Sequence, residues 1–185
     1  MAEFLIVYST QKGQTEKIVR FIESDLKENG YDVDVFNVKE VPKNLNLEKY
    51  RAVIAGGPVL MQGFPRILKK WVQDHTKILK KMPTAFFSVC LGILQKDDEI
   101  QKEERDIVLN FFEATHWHPA VWSIFPGALS YTSYSWLMKR IMRSISRKAS
   151  GDTDITRNFE YTDWNEVRKF SRDFSLTASN ASQSR

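Results

Sequence analysis

The chain has 185 residues, enough for a single domain with a sizeable core, and its 42% hydrophobic and 27% charged residues are ordinary for a globular protein. A single cysteine, Cys90, excludes an internal disulfide framework and fits a reducing cytoplasm. The formal net charge of +4 is mild, and no apolar run has the length of a transmembrane helix or the flanks of a signal peptide. We therefore expect a cytoplasmic protein.

Segments with the patterns of strands and helices alternate along the chain. An apolar strand at 3–8 precedes an amphipathic helix that ends at Asn29-Gly30, and an edge strand follows at 31–38. A third strand at 50–56 precedes a helix at 67–79, and a buried strand at 84–89 precedes a helix at 98–115. After a fifth strand at 120–125, Asp163 with Glu166 three residues later indicates a capping box at the start of a last helix.

This alternation predicts an α/β fold with a doubly wound parallel sheet, because near-continuous apolar strands must be covered on both faces. Five strands favour the flavodoxin-like order 2-1-3-4-5, in which ligands bind beyond the carboxyl ends of the strands, where strand 1 meets strand 3. Residues 127–160 do not fit the alternation and are interpreted as a long insertion near the last strand. We expect one domain over 1–176 and a disordered tail at 177–185, since the tail is small and polar.

The loop from Ser9 to Thr15 is the first candidate site, because it joins a buried strand to a helix N-terminus. It lacks the Lys-Ser/Thr ending of an ATP-binding P-loop and the G-x-G-x-x-G dinucleotide pattern. The hydroxyls of Ser9, Thr10 and Thr15, together with successive backbone N–H groups, suit a terminal phosphate monoester such as that of FMN. The alternative is an ordinary strand-to-helix turn with hydroxyls near the helix start.

Two further loops follow strands 3 and 4 and are candidate walls of the same site. In the loop 57–65, Met61 and Phe64 could pack against a flat ring, or these apolar residues could simply complete the core. Leu91-Gly92-Ile93 could form a third wall, and Cys90 is interpreted as a small buried hydrophobe rather than a nucleophile. The three histidines lack the partners of a zinc site, and 116–119 is interpreted as a helix-to-strand junction.

The segment 136–148 carries five basic residues, no acidic residue and an apolar stripe at helical spacing. Such a basic amphipathic helix is typical of an element that binds a membrane surface or a target. The alternative is a helix that packs on the domain by its stripe and leaves its basic face in water. Nucleic acid is not a predicted partner, because base-stacking aromatics are not interleaved with the charges.

With these motifs in view, the chain resembles the bacterial menaquinone-dependent protoporphyrinogen IX dehydrogenase family of flavodoxin-like FMN proteins, over nearly all of 3–176. The matching blocks are Ser9-Thr10 with Gly13-Gln14-Thr15, then 82–89, Gly127-Ala128-Leu129 with Tyr131, Tyr134 and Trp136, then 151–154 and 161–164. The last two blocks, 151–154 and 161–164, are more specific than the phosphate loop, which all flavodoxin relatives share. Where the family has an Ile-Arg-Tyr-Gly run, Val59-Leu60-Met61-Gln62 stand here, so a cation and an aromatic ring near the flavin are missing.

The resemblance implies an FMN-dependent oxidoreductase of haem biosynthesis that oxidises protoporphyrinogen IX to protoporphyrin IX with menaquinone as electron acceptor. No side chain is an evident catalytic base, and no metal is implied. The residues expected to bind FMN are Ser9, Thr10, Gln11, Lys12, Gly13, Gln14, Thr15, Pro58, Val59, Leu60, Met61, Val89, Cys90, Leu91 and Gly92. The basic segment 136–148 would bind porphyrinogen propionates or hold the enzyme peripherally at the inner face of the cell membrane.

Two other functions remain open at the level of the sequence. One is an FMN-dependent quinone reductase with another donor, which the altered loop after the third strand allows. The other is a flavodoxin-type electron carrier, although such carriers are usually strongly acidic and the net charge of +4 argues against it. The sequence does not predict an oligomeric state.

Overall fold

The structure is a computed structural model that describes residues 3–60, 63–94, 97–129 and 159–183. Five parallel strands form one sheet in the order β2-β1-β3-β4-β5, which confirms the predicted fold class. The strands are β1 (Phe4–Tyr8), β2 (Val33–Asn37), β3 (Ala52–Pro58), β4 (Thr84–Cys90) and β5 (Val121–Pro126). The helices are α1 (Gln14–Glu28), α2 (Arg66–Leu79), α3 (Asp98–Thr115) and α4 (Trp164–Gln183).

The sheet separates two hydrophobic cores, because successive side chains of a strand point to opposite faces. In β1, Phe4 and Ile6 join the core that α1 and α4 cover, whereas Leu5 and Val7 join the core that α2 and α3 cover. All five residues of β1 are buried, as expected for a central strand with helices on both faces.

The helix ends follow the residues that predict them. Gly30 adopts a left-handed φ of 88° just after α1. Asp163 caps the start of α4, since its Oδ1 accepts hydrogen bonds from the backbone N–H groups of Asn165 (2.9 Å) and Glu166 (3.3 Å). His116 ends α3 with a φ of 52°, so the 116–119 segment is the junction that the sequence predicts.

The predicted disordered tail is wrong for residues 177–183, because α4 continues through Gln183. Ala178 is fully buried, and its carbonyl accepts a hydrogen bond from Arg51 Nε (3.4 Å). The hydroxyl groups of Tyr31 and Ser179 lie 3.1 Å apart. Small side chains therefore let the end of this helix approach the sheet, and the burial of Ala178 stabilises it there.

The two ends of the insertion lie next to each other, directly after β5. The two-residue strands β6 (Ala128–Leu129) and β7 (Phe159–Glu160) pair antiparallel, and the N–H of Tyr161 donates to the carbonyl of Gly127 (3.2 Å). The predicted basic helix at 136–148 and the 151–154 block lie outside the described residues.

We predict that Gly56→Ala lowers the free energy of unfolding by about 1–3 kcal/mol, the usual cost of overpacking a core. A Cβ at Gly56 would lie 2.2 Å from Cε1 of the Phe87 ring, and Phe87 is fully buried on the neighbouring strand. Urea denaturation measures the loss. Gly63→Ala is the matched control, because its Cβ would meet nothing within 4 Å, and an equal loss in both variants would contradict the close-approach explanation.

Candidate functional site

Three loops meet at the carboxyl edge of the sheet. The N–H of Ser9 after β1 donates to the carbonyl of Gly56 in β3 (3.0 Å), and the N–H of Val59 after β3 donates to the carbonyl of Val89 in β4 (3.0 Å). The three predicted groups of site residues, at 9–15, 58–61 and 89–92, therefore follow neighbouring strands at one edge. Met61 alone among them lies outside the described residues. That these residues bind a cofactor stays a prediction.

The loop after β1 has the geometry of an anion cradle. Thr10 Oγ1 accepts a hydrogen bond from the N–H of Gly13 (3.1 Å), which closes the loop into a compact turn. Gly13 precedes α1 with a φ of 89°, a conformation that favours glycine, and no side chain among the described residues caps the first turn of the helix. Uncapped N–H groups at a helix N-terminus are donors suited to a phosphate.

The side chains of this loop divide into buried and accessible groups. Ser9 is 5% exposed and Thr15 is 2% exposed, whereas Gln11, Lys12 and Gly13 lie at the surface. A phosphate would therefore reach the loop from its outer side, above the buried hydroxyl residues. The residues present fit a phosphate monoester, since the loop combines hydroxyls, uncapped N–H groups and the positive end of a helix dipole.

Gln14 has a different role from the one that its position suggests. Its side-chain amide donates a hydrogen bond to Thr162 Oγ1 (2.8 Å), and that hydroxyl donates to the carbonyl of Pro126 (2.8 Å). Its backbone N–H, in the uncapped first turn, is the donor that it would offer to a phosphate. One turn further along α1, Lys17 pairs with Glu160. The base of the insertion therefore lies against the first turn of α1.

The loop after β3 turns back on itself directly after the strand. Pro58 is the last residue of β3, and Leu60 exchanges two backbone hydrogen bonds with Gly63 (2.7 and 3.0 Å). The Phe64 ring packs against Phe86 and Phe111, with centroids 5.1 and 4.7 Å away. For Phe64 the structure therefore favours the interpretation in which the apolar loop residues complete the core.

The loop after β4 is shaped by a carboxyl group that the sequence interpretation missed. Cys90 is buried, and burial followed by the nearby Glu104 raises the pKa of its thiol to about 12, which disfavours the nucleophilic thiolate form. Leu91 leads into a short 3₁₀ helix at Gly92–Leu94. A Cβ at Gly92 would lie 1.9 Å from Glu104 Oε1, so a larger residue there would require the Glu104 side chain to move.

A pattern in the sequence could have revealed Glu104. It stands four residues after Ile100 and four before Val108, and therefore on the apolar face of α3 rather than on its charged outer face. Its Oε2 atom is buried without a hydrogen-bond partner, and burial raises the pKa of this carboxyl.

We predict that Glu104→Gln makes the protein more stable at neutral pH than the wild type and that this advantage disappears in acid. A carboxyl whose pKa is raised by folding favours the folded state in its protonated form, and this contribution is lost as the pH rises through the folded-state pKa. Melting temperatures measured from pH 3.5 to pH 8 should converge below about pH 4, near the pKa of an unfolded glutamate. A difference that does not vary with pH would contradict the assignment.

The described cavities lie elsewhere. A cavity of about 330 Å³ opens at the amino edge of the sheet, next to Tyr50, Arg51 and Met82. A smaller one of about 170 Å³ lies between β5 and α4, next to Trp122 and Phe170. Neither touches the loops after β1, β3 and β4. The case for the carboxyl edge therefore rests on hydrogen-bonding groups and topology rather than on cavity size.

Comparison with known proteins identifies the relatives of the chain. Residues 5–156 match the flavodoxin domain family. The protoporphyrinogen IX dehydrogenase [quinone] of Escherichia coli K12 is 31% identical over 169 residues, which cover 91% of this chain and 92% of that protein. The protein of the same name from Leishmania major is 32% identical over 171 residues, covering 92% of this chain and 73% of that protein.

Solved structures agree with the fold. Oxidised flavodoxin 1 from Bacillus cereus superposes with a TM-score of 0.57 at 16% identity, covering 94% of this chain and 97% of that chain. The rubredoxin:oxygen oxidoreductase of Desulfovibrio gigas superposes with a TM-score of 0.59 at 13% identity, covering 96% of this chain and 36% of the longer protein. Similarities at this level of identity support the fold alone.

Proposed function

The chain belongs to the flavodoxin domain family, within the branch that includes the quinone-dependent protoporphyrinogen IX dehydrogenases, and from this membership and the carboxyl-edge geometry we propose that it is an FMN-dependent oxidoreductase acting on protoporphyrinogen IX. The acceptor in this proposal is a quinone, and menaquinone by the resemblance of the sequence. The single observation that carries the proposal is 31% identity to a protein of that name over 91% of the chain.

The chain's own residues have distinct tasks in this proposal. Ser9, Thr10 and the N–H groups from Gln14 onwards would hold the phosphate, because Thr10 and Gly13 form the turn that leads into the uncapped start of α1. Backbone at 58–60 and 89–92 would flank the ring, and the Glu104 side chain lies close to Gly92 at this wall. FMN held there would supply the redox chemistry, as a two-electron carrier between the substrate and the quinone that acts three times for each porphyrin formed.

The function is tested with the purified protein under anaerobic conditions. We expect it to carry or take up FMN and to convert protoporphyrinogen IX to fluorescent protoporphyrin only when a menaquinone analogue is supplied. Failure to bind supplied FMN would overturn the whole proposal. FMN binding without quinone-dependent porphyrin fluorescence would overturn the substrate, and a quinone reductase with another donor would then be the function to test.

Membrane contact through 136–148 stays a prediction from the sequence. No helix in the part of the chain that the structure describes is long and apolar enough to cross a bilayer. In this prediction the association rests on the basic segment, whose charges favour an anionic surface. We expect Lys139→Glu, Arg140→Glu and Arg143→Glu together to reduce pelleting with anionic liposomes, and unchanged pelleting would count against the prediction.

A further inference from the structure

The hydroxyl of Thr162 stands between two parts of the chain that are far apart in sequence. It is 8% exposed, accepts a hydrogen bond from Gln14 Nε2 (2.8 Å) and donates one to the carbonyl of Pro126 (2.8 Å). A hydroxyl has one proton to donate, and here Thr162 donates it to the carbonyl of Pro126 at the end of β5. A lone pair of the same oxygen accepts the hydrogen bond from Gln14, the first residue of α1. The bond therefore connects the phosphate loop to the edge of the sheet beside the insertion.

From this geometry we propose that Thr162 is a positioning residue for phosphate recognition, acting through Gln14. The inference rests on the proposed function, in that the loop must bind a phosphorylated flavin. Thr162 itself does not reach the loop atoms that receive the phosphate. It fixes the orientation of the first turn of α1. The N–H groups of that turn are the ones that would bind the phosphate.

A second contact supports the same role. Lys17, one turn after Gln14, pairs with Glu160 and also lies over the Trp164 ring, 5.3 Å from its centroid. The segment 160–164 therefore holds the start of α1 at two successive turns. The segment is itself fixed, because the N–H of Tyr161 donates to the carbonyl of Gly127 (3.2 Å).

This arrangement separates phosphate binding from ring binding. The phosphate donors belong to the loop after β1 and to α1, whereas the residues that flank the ring follow β3 and β4. Loss of the Thr162 hydroxyl releases the Gln14 side chain. The phosphate donors then become less well ordered, whereas the residues that flank the ring are unchanged. A site that is less well organised in advance binds more weakly, since ordering it must then accompany binding.

The experiment compares FMN with riboflavin, which has the same ring and lacks the phosphate. We expect Thr162→Val to weaken FMN binding about tenfold while riboflavin binding changes less than about twofold, the scale of one or two lost hydrogen bonds. Thr162→Ser keeps the hydroxyl and should restore the FMN-to-riboflavin ratio of the wild type. Titration of apoprotein by quenching of flavin fluorescence measures both affinities.

Two further variants keep the test decisive if Thr162→Val folds poorly. Gln14→Met removes the same hydrogen bond from the other side, and the double variant should lose no more FMN affinity than either single one. Thr115→Val is the matched control, because that buried hydroxyl bonds only within α3, to the carbonyls of Phe111 (2.8 Å) and Phe112 (3.2 Å). Its FMN-to-riboflavin ratio should equal that of the wild type.

The outcomes separate this inference from the proposed function. A wild type that does not bind FMN overturns the proposed function. A wild type that prefers FMN to riboflavin, with a Thr162→Val variant that keeps the same preference, overturns the positioning role and leaves the function standing. Equal losses for FMN and riboflavin in Thr162→Val also overturn it, since the hydroxyl would then serve stability alone.

Discussion

We expect Thr10→Asp to weaken FMN binding on the order of 100-fold, equivalent to about 2.8 kcal/mol, and to leave riboflavin binding nearly unchanged. The substitution introduces a carboxylate beside the proposed phosphate position. A phosphate monoester carries a charge of about −1.5 to −2 at neutral pH, so the two groups repel. Unit charges about 4 Å apart interact by ~1 kcal/mol in water and ~4 kcal/mol at the lower effective dielectric of a protein surface.

Aspartate suits this test because it preserves the local structure of the loop. Thr10 Oγ1 accepts the hydrogen bond from the Gly13 N–H (3.1 Å), and an aspartate carboxylate at position 10 accepts the same kind of bond. The loop and the left-handed Gly13 therefore persist, and the charge is the main change.

Thr10→Asn is the matched control, because asparagine has the same shape and the same acceptor without the charge. Flavin titrations at two salt concentrations complete the test. We expect the loss in Thr10→Asp to shrink at high ionic strength, since salt screens exposed charges over about 10 Å at 0.1 M. Equal FMN losses in the aspartate and asparagine variants would contradict a phosphate at this position.

The strand and helix pattern is what the sequence predicts best, for a physical reason. Parallel strands covered on both faces are nearly continuous apolar runs, and β1 carries that signal over its whole length. In β4 every residue is buried, and only Thr84 and Ser88 interrupt the apolar run. Helix ends are local as well, which is why Asn29-Gly30 and Asp163 predict the end of α1 and the start of α4.

The misses concern contacts between residues far apart in the chain. The tail at 177–183 has the composition of a disordered segment, yet Ala178 is buried against the sheet edge by residues that no local pattern includes. Gln14 and Thr162 are separated by 148 positions, so neither one predicts the other. Each position alone is typical of a helix start.

Glu104 is an intermediate case. The spacing of apolar residues in α3 is a local signal and puts residue 104 on the buried face, although charged residues before and after it conceal the exception. What the pattern cannot predict is the partner, since the close approach to Gly92 depends on the path of the chain after β4. The sequence therefore predicts where the candidate site lies and which loops form it. It does not predict the residues that support those loops, Thr162 and Glu104.

The second large effect concerns the core. We expect Phe86→Ala to lower the free energy of unfolding of the apoprotein by about 3–5 kcal/mol, the usual range for a fully buried phenylalanine. Phe86 is 0% exposed in the middle of β4. Its ring centroid lies within 6.0 Å of four other aromatic centroids, those of Phe64, Phe111, Phe112 and Trp117.

The value should fall in the upper part of that range because the surrounding rings cannot close the cavity. Phe111 and Phe112 are fixed on α3, and the Trp117 indole N–H donates to Thr84 Oγ1 (3.1 Å), so separate elements hold the rings that would line the cavity.

Urea denaturation of apoprotein measures the loss without the stabilisation that a bound flavin would add. Leu176→Ala is the control, because that side chain is 63% exposed and its removal should cost less than about 0.5 kcal/mol. A loss below about 2 kcal/mol for Phe86→Ala would mean that the rings around it repack, and that the aromatic cluster is less rigid than its contacts indicate.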